Sequence, residues 1–322
     1  MTAVNLSRQP SGRWSDRVAH QEPVRTEGAA RGQDSAPESF THLMGAAAAP
    51  APEGRAAPAA SRISRARAQH LAGRLSPRDR AVLATVQAHR FLTTRQIERF
   101  HFAAHEQPET AGRICRRVLG RLHELRVLEH LERRIGGMRA GSASYVWRVG
   151  LLGDRLLRLD AAGQPRARRK EPSLRLLEHC LAVAEVHLTL RELAAAGRLE
   201  LLQVETEPRS WRVIDREHRL KPDLYAVTAS GEFEDFWFLE VDRATESLPT
   251  LLAKCAQYEQ YRRSGREQHA RGVFPLVVWL VPNEGRADQL TRAVAASRHL
   301  DASLYRISTP AGLPGLITGG AA

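Results

Sequence analysis

Cysteine is scarce in this chain, and its pattern removes several possibilities. Only Cys115, Cys180 and Cys255 occur among 322 residues, an odd number with no Cys-x-x-Cys spacing. That excludes a disulfide framework and a cysteine-paired structural zinc site, and it points to reduced thiols. No run of 18 apolar residues occurs, so no membrane-spanning helix is expected, and the start MTAVNLSRQPSGRW lacks the apolar core of a secretory leader. The expectation is a soluble, cytoplasmic protein. Lysine is almost as rare: Lys170, Lys221 and Lys254 are the three lysines among 48 basic residues. In so Arg-biased a composition, a retained lysine marks a place where a compact charge that can lose its proton has a use. The sequence G-x-x-x-x-G-K-[ST] is also missing, which leaves an NTP-driven motor without support.

Positive charge is abundant, and it is unevenly placed. The formal net charge is +12. Basic residues number nine against six acids in residues 1–70, 21 against nine in 71–170, and 18 against 21 in 171–322. A middle third this basic is expected to seek a polyanion, most simply nucleic acid, because neutralising phosphates releases counterions. The rival, an anionic membrane surface, calls for an amphipathic basic helix with exposed Trp or Phe, and none is found.

Residues 1–70 are rich in Ala, Pro, Ser, Gly and Arg without a sustained apolar period, which predicts a disordered tail. From Leu75 the pattern turns helical. Ser76-Pro77 reads as an N-cap and first helical residue, with Val82, Leu83 and Val86 as the buried stripe. A second short helix is predicted over 95–100, and a third over about 110–125 with Ile114, Val118, Leu122 and Leu125 as its apolar seam. Strands at 127–134 and 145–149 bracket the glycine-rich turn GGMRAGSAS. Three helices followed by a hairpin is the order of a winged helix-turn-helix, expected over 71–159. In that arrangement the third helix enters the major groove and the hairpin follows the backbone or minor groove. Arg113, Arg116, Arg117 and Arg121 on the helix and Arg133, Arg134 and Arg139 on the wing are the candidate contacts to double-stranded DNA.

A basic linker over 160–172 leads into a second domain, 173–310, followed by a flexible tail, 311–322. The domain reads as a long helix from Ser173 to Ala196, strands near 199–205 and 211–214, and the stretch KPDLYAVTASGEFEDFWFLEVDRATES. A helix over 249–263, a buried strand over 274–281, a helix over 287–298 and a strand over 304–307 complete it. Within the central stretch Gly231 falls in a turn between two strands, and alternation places Glu240 and Asp242 on one face with Val241 opposite. Asp223 opens the preceding strand. Three carboxylates at one end of a hairpin repel unless protonated or bridged, and oxygen-only donors suit magnesium or manganese. On the next helix Lys254, Tyr258 and Tyr261 share a face at i, i+4 and i+7, which can return Lys254 to the acids.

The α-β-β-β-α-β order with Pro222-Asp223 and then Glu240-Val241-Asp242 resembles the restriction-endonuclease-like superfamily. Where that signature carries lysine, this chain has Asp242, and Lys254 is the candidate replacement. More specifically, a helix-turn-helix joined to KPD, FLEVDRATES and a helix with K-x-x-x-Y-x-x-Y resembles the replication-relaxation family of plasmid-associated proteins, over about residues 75–310. The resemblance implies a DNA-binding protein of plasmid or mobile-element replication, relaxation or transfer, with plasmid replication or transfer proteins as partners. It also raises metal-dependent DNA nicking by Asp223, Glu240, Asp242 and Lys254, the three acids holding the ion and Lys254 aiding charge or proton transfer. Glu185 is a conceivable fourth carboxylate, with a surface glutamate as its plainer reading. The alternative is a non-catalytic regulator or relaxosome accessory factor. A tyrosine relaxase is not expected: no His-x-His pair occurs, and Tyr258 and Tyr261 read as packing.

Overall fold

Short-range side-chain hydrogen bonds set the starts of several helices in the computed structural model, which describes residues 8–10, 65–103, 107–132, 144–160 and 171–319. After strand β1 (Arg8–Pro10) come α1 (Arg65–Arg74), α2 (Pro77–His89), β2 (Leu92–Thr93), α3 (Thr94–His101), α4 (Pro108–Glu124), β3 (Leu128–His130), β4 (Val146–Val149) and α5 (Leu151–Asp160). Ser76 and Asp79 form a capping box on α2, and Thr93 and Gln96 form another on α3. The strands pair in the order β2-β4-β3, all antiparallel.

Three expectations for this half need correction. Helix α1 begins at Arg65, inside the stretch read as a tail, because Ala68 and Leu71 find a core to enter. The seam of α4 is rotated: Ala111, Cys115, Leu119 and Leu122 are buried, while Ile114, Val118 and Leu125 pack at its margin. Small Ala111 and Cys115 occupy the innermost line, and the Cys115 thiol lies 3.9 Å from the Thr94 carbonyl. Helix α5 was not expected at all. It presses on the chain entering β3, and a Cβ on Gly150 or Gly153 would lie 2.3 Å from the Arg126 carbonyl oxygen or 2.2 Å from that of Val127. Strand β1 also falls within that predicted tail; the remainder of the tail, the glycine-rich wing turn with Arg133, Arg134 and Arg139, and most of the linker lie outside the described residues.

The second half begins with α6 (Leu174–Ala195), capped by Ser173. It continues with β5 (Glu200–Thr206), β6 (Arg212–Val213), β7 (Arg219–Leu220), β8 (Leu224–Ser230), β9 (Phe233–Val241), α7 (Leu248–Arg263), α8 (Arg266–Arg271), β10 (Leu276–Leu280), α9 (Glu284–Ala296), β11 (Tyr305–Ser308) and α10 (Leu313–Thr318). The main sheet has the order β11-β10-β9-β8-β5, and β1 pairs with the first residues of β9. Strands β5, β8 and β9 are antiparallel, whereas β9, β10 and β11 are parallel and need helices to cross between them. Helices α7 and α9 pack on one face around Tyr225, Phe236, Phe238 and Val277, and α6 and α10 pack on the other around Leu224, Trp237, Leu239 and Val278. Covered on both faces, the central strands are almost continuously apolar. The predicted C-terminal tail is instead partly α10, with Leu313 and Ile317 buried.

Helix α6 belongs to both cores. Val183, Val186 and Leu190 face the main sheet, while Ala184 and Leu188 enter the core made by α1 to α5. Gln96 donates to the Leu181 carbonyl at 2.9 Å, Arg99 pairs with Glu185 and Glu192, and His89 and His187 share a hydrogen bond of 2.9 Å. The described residues between 65 and 319 accordingly belong to one compact unit.

Candidate functional site

The hairpin β8–β9 turns through Ser230, Gly231 at φ 60° and Glu232, and its register pairs Leu224 with Leu239. One step further out, Asp223 comes beside Glu240. Alternation sends Glu240 toward α7 and Val241 toward the opposite apolar layer, as expected. Helix α7 then returns Lys254 and Tyr258 to Glu240, one to each carboxylate oxygen at 2.5 Å. With Leu251, Cys255, Tyr258 and Tyr261 all buried, this face of α7 packs on the sheet and Lys254 reaches out at its edge.

Asp223 is held from two directions. Its Oδ1 meets His179 Nε2 at 3.0 Å, and its Oδ2 accepts the Val241 N–H at 2.8 Å. Asp242 is drawn elsewhere: Arg286 on α9 donates to Oδ2 at 2.7 Å and the Ala244 N–H to Oδ1 at 2.8 Å. Ala244 sits at φ 55° to make this turn, a left-handed conformation that costs a non-glycine residue about 1–2 kcal/mol. Around these groups lies a cleft of about 320 Å³, rimmed by Arg175, Arg243 and Glu246 and floored by Leu251 and Trp279.

The electrostatics follow from burial and pairing. Burial works to raise Asp223, but the His179 hydrogen bond and the nearby Lys254 charge outweigh it and leave its pKa below 3.8. The same hydrogen bond raises His179 above 6.5 against its own desolvation. Glu240, 1% exposed, is pushed up to about 7 by burial and by Asp223, with Lys254 and Tyr258 pulling the other way. Desolvation opposes the Lys254 charge, and Glu240 and Asp223 more than restore it, so its pKa rises.

The acids therefore do not meet at one point. Asp223 and Glu240 stand side by side, but both oxygens of Asp242 are taken by Arg286 and Ala244. Among the described residues no group of three or more His, Cys, Asp or Glu side chains is arranged to hold a metal ion. Asp223 and Glu240 are the two of the three expected carboxylates that stand together, and Asp242 would have to leave Arg286 to join them around magnesium or manganese. Glu185 is not at this site, since it accepts from Gln96 at 3.1 Å and pairs with Arg99. His179 is the member that sequence reasoning missed. Its only signal was its place on the first turns of α6, five residues after the N-terminal Leu174.

On α4, Arg113, Arg116, Arg117 and Arg121 are all exposed, but they are not equivalent. Arg121 is tied at 2.5 Å to Asp79, a carboxylate 1% exposed in the capping box of α2, whereas Arg113 and Arg117 lie on the helix face directly opposite the buried seam.

These features define a mixed α/β protein in which a helical, arginine-bearing module shares a helix with a sheet whose hairpin carries a charged cleft. The chain belongs to the replication-relaxation family, whose model matches residues 83–277. That match runs from within α2 into β10, so it takes in part of each core and the whole Asp223–Lys254 region, and it links the chain to replication and relaxation. No curated protein and no solved structure matches it. No helix among the described residues is long and apolar enough to cross a membrane.

Proposed function

We propose that this is a double-stranded-DNA-binding protein of plasmid or mobile-element replication and relaxation. In this reading α2 to α4 with the β2-β4-β3 sheet act as a winged helix-turn-helix, and α6 to β11 form a restriction-endonuclease-like domain docked on it. The observation that carries the reading is the outward face of α4, where Arg113, Arg116 and Arg117 are exposed on the helix that follows two capped helices. Arg121 is assigned to holding α4 on α2. Arg133, Arg134 and Arg139 would add wing contacts. The test is fluorescence anisotropy of duplex DNA across a salt series. Each phosphate contact contributes about 0.9 to the slope of log K against log salt, so Arg113→Ala, Arg116→Ala and Arg117→Ala together should flatten it by up to about 2.7. An unchanged slope would move the DNA surface off α4.

A second reading, phosphodiester cleavage, has one observation in its favour. Asp223 and Glu240 lie side by side on neighbouring strands, with His179 and Lys254 at the same cleft. Incubating supercoiled plasmid with magnesium, with manganese and with neither, using wild type, Asp223→Ala and Glu240→Ala, decides it. Plasmid left supercoiled in every arm, with duplex binding retained, assigns the second domain to assembly as a non-catalytic regulator or accessory factor.

A further inference from the structure

Among the described residues, Lys221 is the lysine that the cleft does not use. It extends the β6–β7 hairpin, a small two-stranded sheet separate from the main one. The hairpin is firmly anchored: Ile214 and Leu220 enter the α7 core, and Arg212 pairs with Glu205 at 3.0 Å and Glu267 at 3.3 Å. Arg266 on α8 donates to the Val213 carbonyl at 2.6 Å, and the buried Ser210 hydroxyl donates to the Pro222 carbonyl at 2.7 Å. Between this hairpin and α7 lies a second hollow of about 450 Å³, a size suited to a small organic group.

Its walls differ in chemistry. Trp211 supplies an indole, fixed by its N–H donating to Glu207 at 3.0 Å, and the Lys221 ammonium lies 4.7 Å from the ring centroid. Arg219 and His218 add cationic or donor groups from the hairpin, Glu217 one acid, and the exposed amides of Gln257 and Gln260 face them from α7. An aromatic plate, two basic side chains and two amides match a planar, hydrogen-bonding base joined to a phosphate. A base inside a duplex is stacked on both faces and cannot reach a recessed indole, whereas an unpaired one can.

We infer that the hollow between the β6–β7 hairpin and α7 seats an unpaired nucleotide of single-stranded DNA. Trp211 stacks the base, Gln257 and Gln260 meet its edge, and Arg219 and Lys221 take the phosphates. Lys221 is two residues before Asp223, at most about 7 Å along the chain, so a seated strand passes close to the cleft. The inference extends the DNA-binding reading, but it concerns a different surface and a different form of DNA.

The experiment measures anisotropy of a fluorescein-labelled thymidine oligonucleotide and of a duplex, using the full chain and checking each variant's melting temperature. Arg219→Ala with Lys221→Ala, and separately Gln257→Ala with Gln260→Ala, should each weaken oligonucleotide binding by about tenfold or more while leaving duplex affinity within about twofold. Trp211→Phe, which keeps a stacking ring, should lose less than Trp211→Leu. The triple α4 variant should show the reverse pattern, so failure on α4 and failure in the hollow are separately visible. Wild-type affinity for the oligonucleotide unchanged in both hollow variants, or absent altogether, overturns the inference. Thymidine monophosphate competing as well, per molecule, as the oligonucleotide would overturn the strand in favour of a free nucleotide.

Discussion

Replacing Lys254 by methionine isolates the charge that faces Glu240. In the wild type Glu240 is 1% exposed and its pKa is about 7 instead of 4.5. The folded state thus holds this proton more tightly than the unfolded chain does. Stability from this group is fully present below pH 4.5 and falls as pH rises toward 7, by about 1.4 kcal/mol per pH unit. Above the folded pKa the contribution is level. Removing the ammonium takes away the main charge opposing burial, so the folded pKa rises again and the falling limb extends past neutrality. The gap between wild type and Lys254→Met should therefore widen by about 1.4 kcal/mol per unit above pH 7, reaching about 2 kcal/mol at pH 8.5. This comes on top of a pH-independent loss of roughly 1 kcal/mol for the hydrogen bond. Urea denaturation at pH 6, 7 and 8.5 measures the difference, and adding Glu240→Gln to Lys254→Met should abolish the widening. Parallel pH profiles for wild type and Lys254→Met would refute the reasoning, because Glu240 would then not be the group that takes up the proton.

Other consequences are independent of that one. Arg286→Met strands the carboxylate of Asp242, whose side chain is 1% exposed, and should cost about 3–5 kcal/mol in thermal or urea unfolding, with most of it recovered by Asp242→Asn in the same chain. Asp79→Ala removes the side-chain half of the α2 capping box, the acceptor for the Ser76 N–H, and the Arg121 tie together, and should cost about 1–2 kcal/mol, whereas Arg121→Ala should lower the melting temperature without altering the salt slope of duplex binding. Gly153→Ala drives a methyl into the Val127 carbonyl, and a loss of about 1–3 kcal/mol is expected; a neutral outcome would mean that α5 can move off β3. The His179 imidazole, followed by NMR, should titrate above 6.5 in the wild type and return toward that value in Asp223→Asn.

Periodicity and capping made the helices and strands readable one by one. Ser76-Pro77, Thr93 and Ser173 announce their helices because an N-cap is a contact between residues three apart. The apolar runs of β8, β9 and β10 are legible because a strand covered on both faces has no polar side to show. Alternation alone placed Glu240 opposite Val241, and helical spacing alone put Lys254 and Tyr258 on one face. Less was readable where small residues decide the packing: the seam of α4 follows Ala111 and Cys115, which carry a weak hydrophobic signal but allow the closest approach. Helix α5 depends on two glycines that matter only once Arg126 and Val127 are known to lie beneath them.

What the residues determine unaided is much of the inventory: the helices and strands with a clear apolar period or cap, where basic charge concentrates, and that Asp223, Glu240 and Lys254 would be brought near one another. Only the folded chain decides the partners. Arg286 reaches Asp242 from 44 positions away and His179 reaches Asp223 from an equal separation, and Arg121 reaches Asp79 across 42. Local spacing is a property of one helix or one strand, but which cation neutralises a buried carboxylate depends on how the layers stack, and no window along the chain contains that.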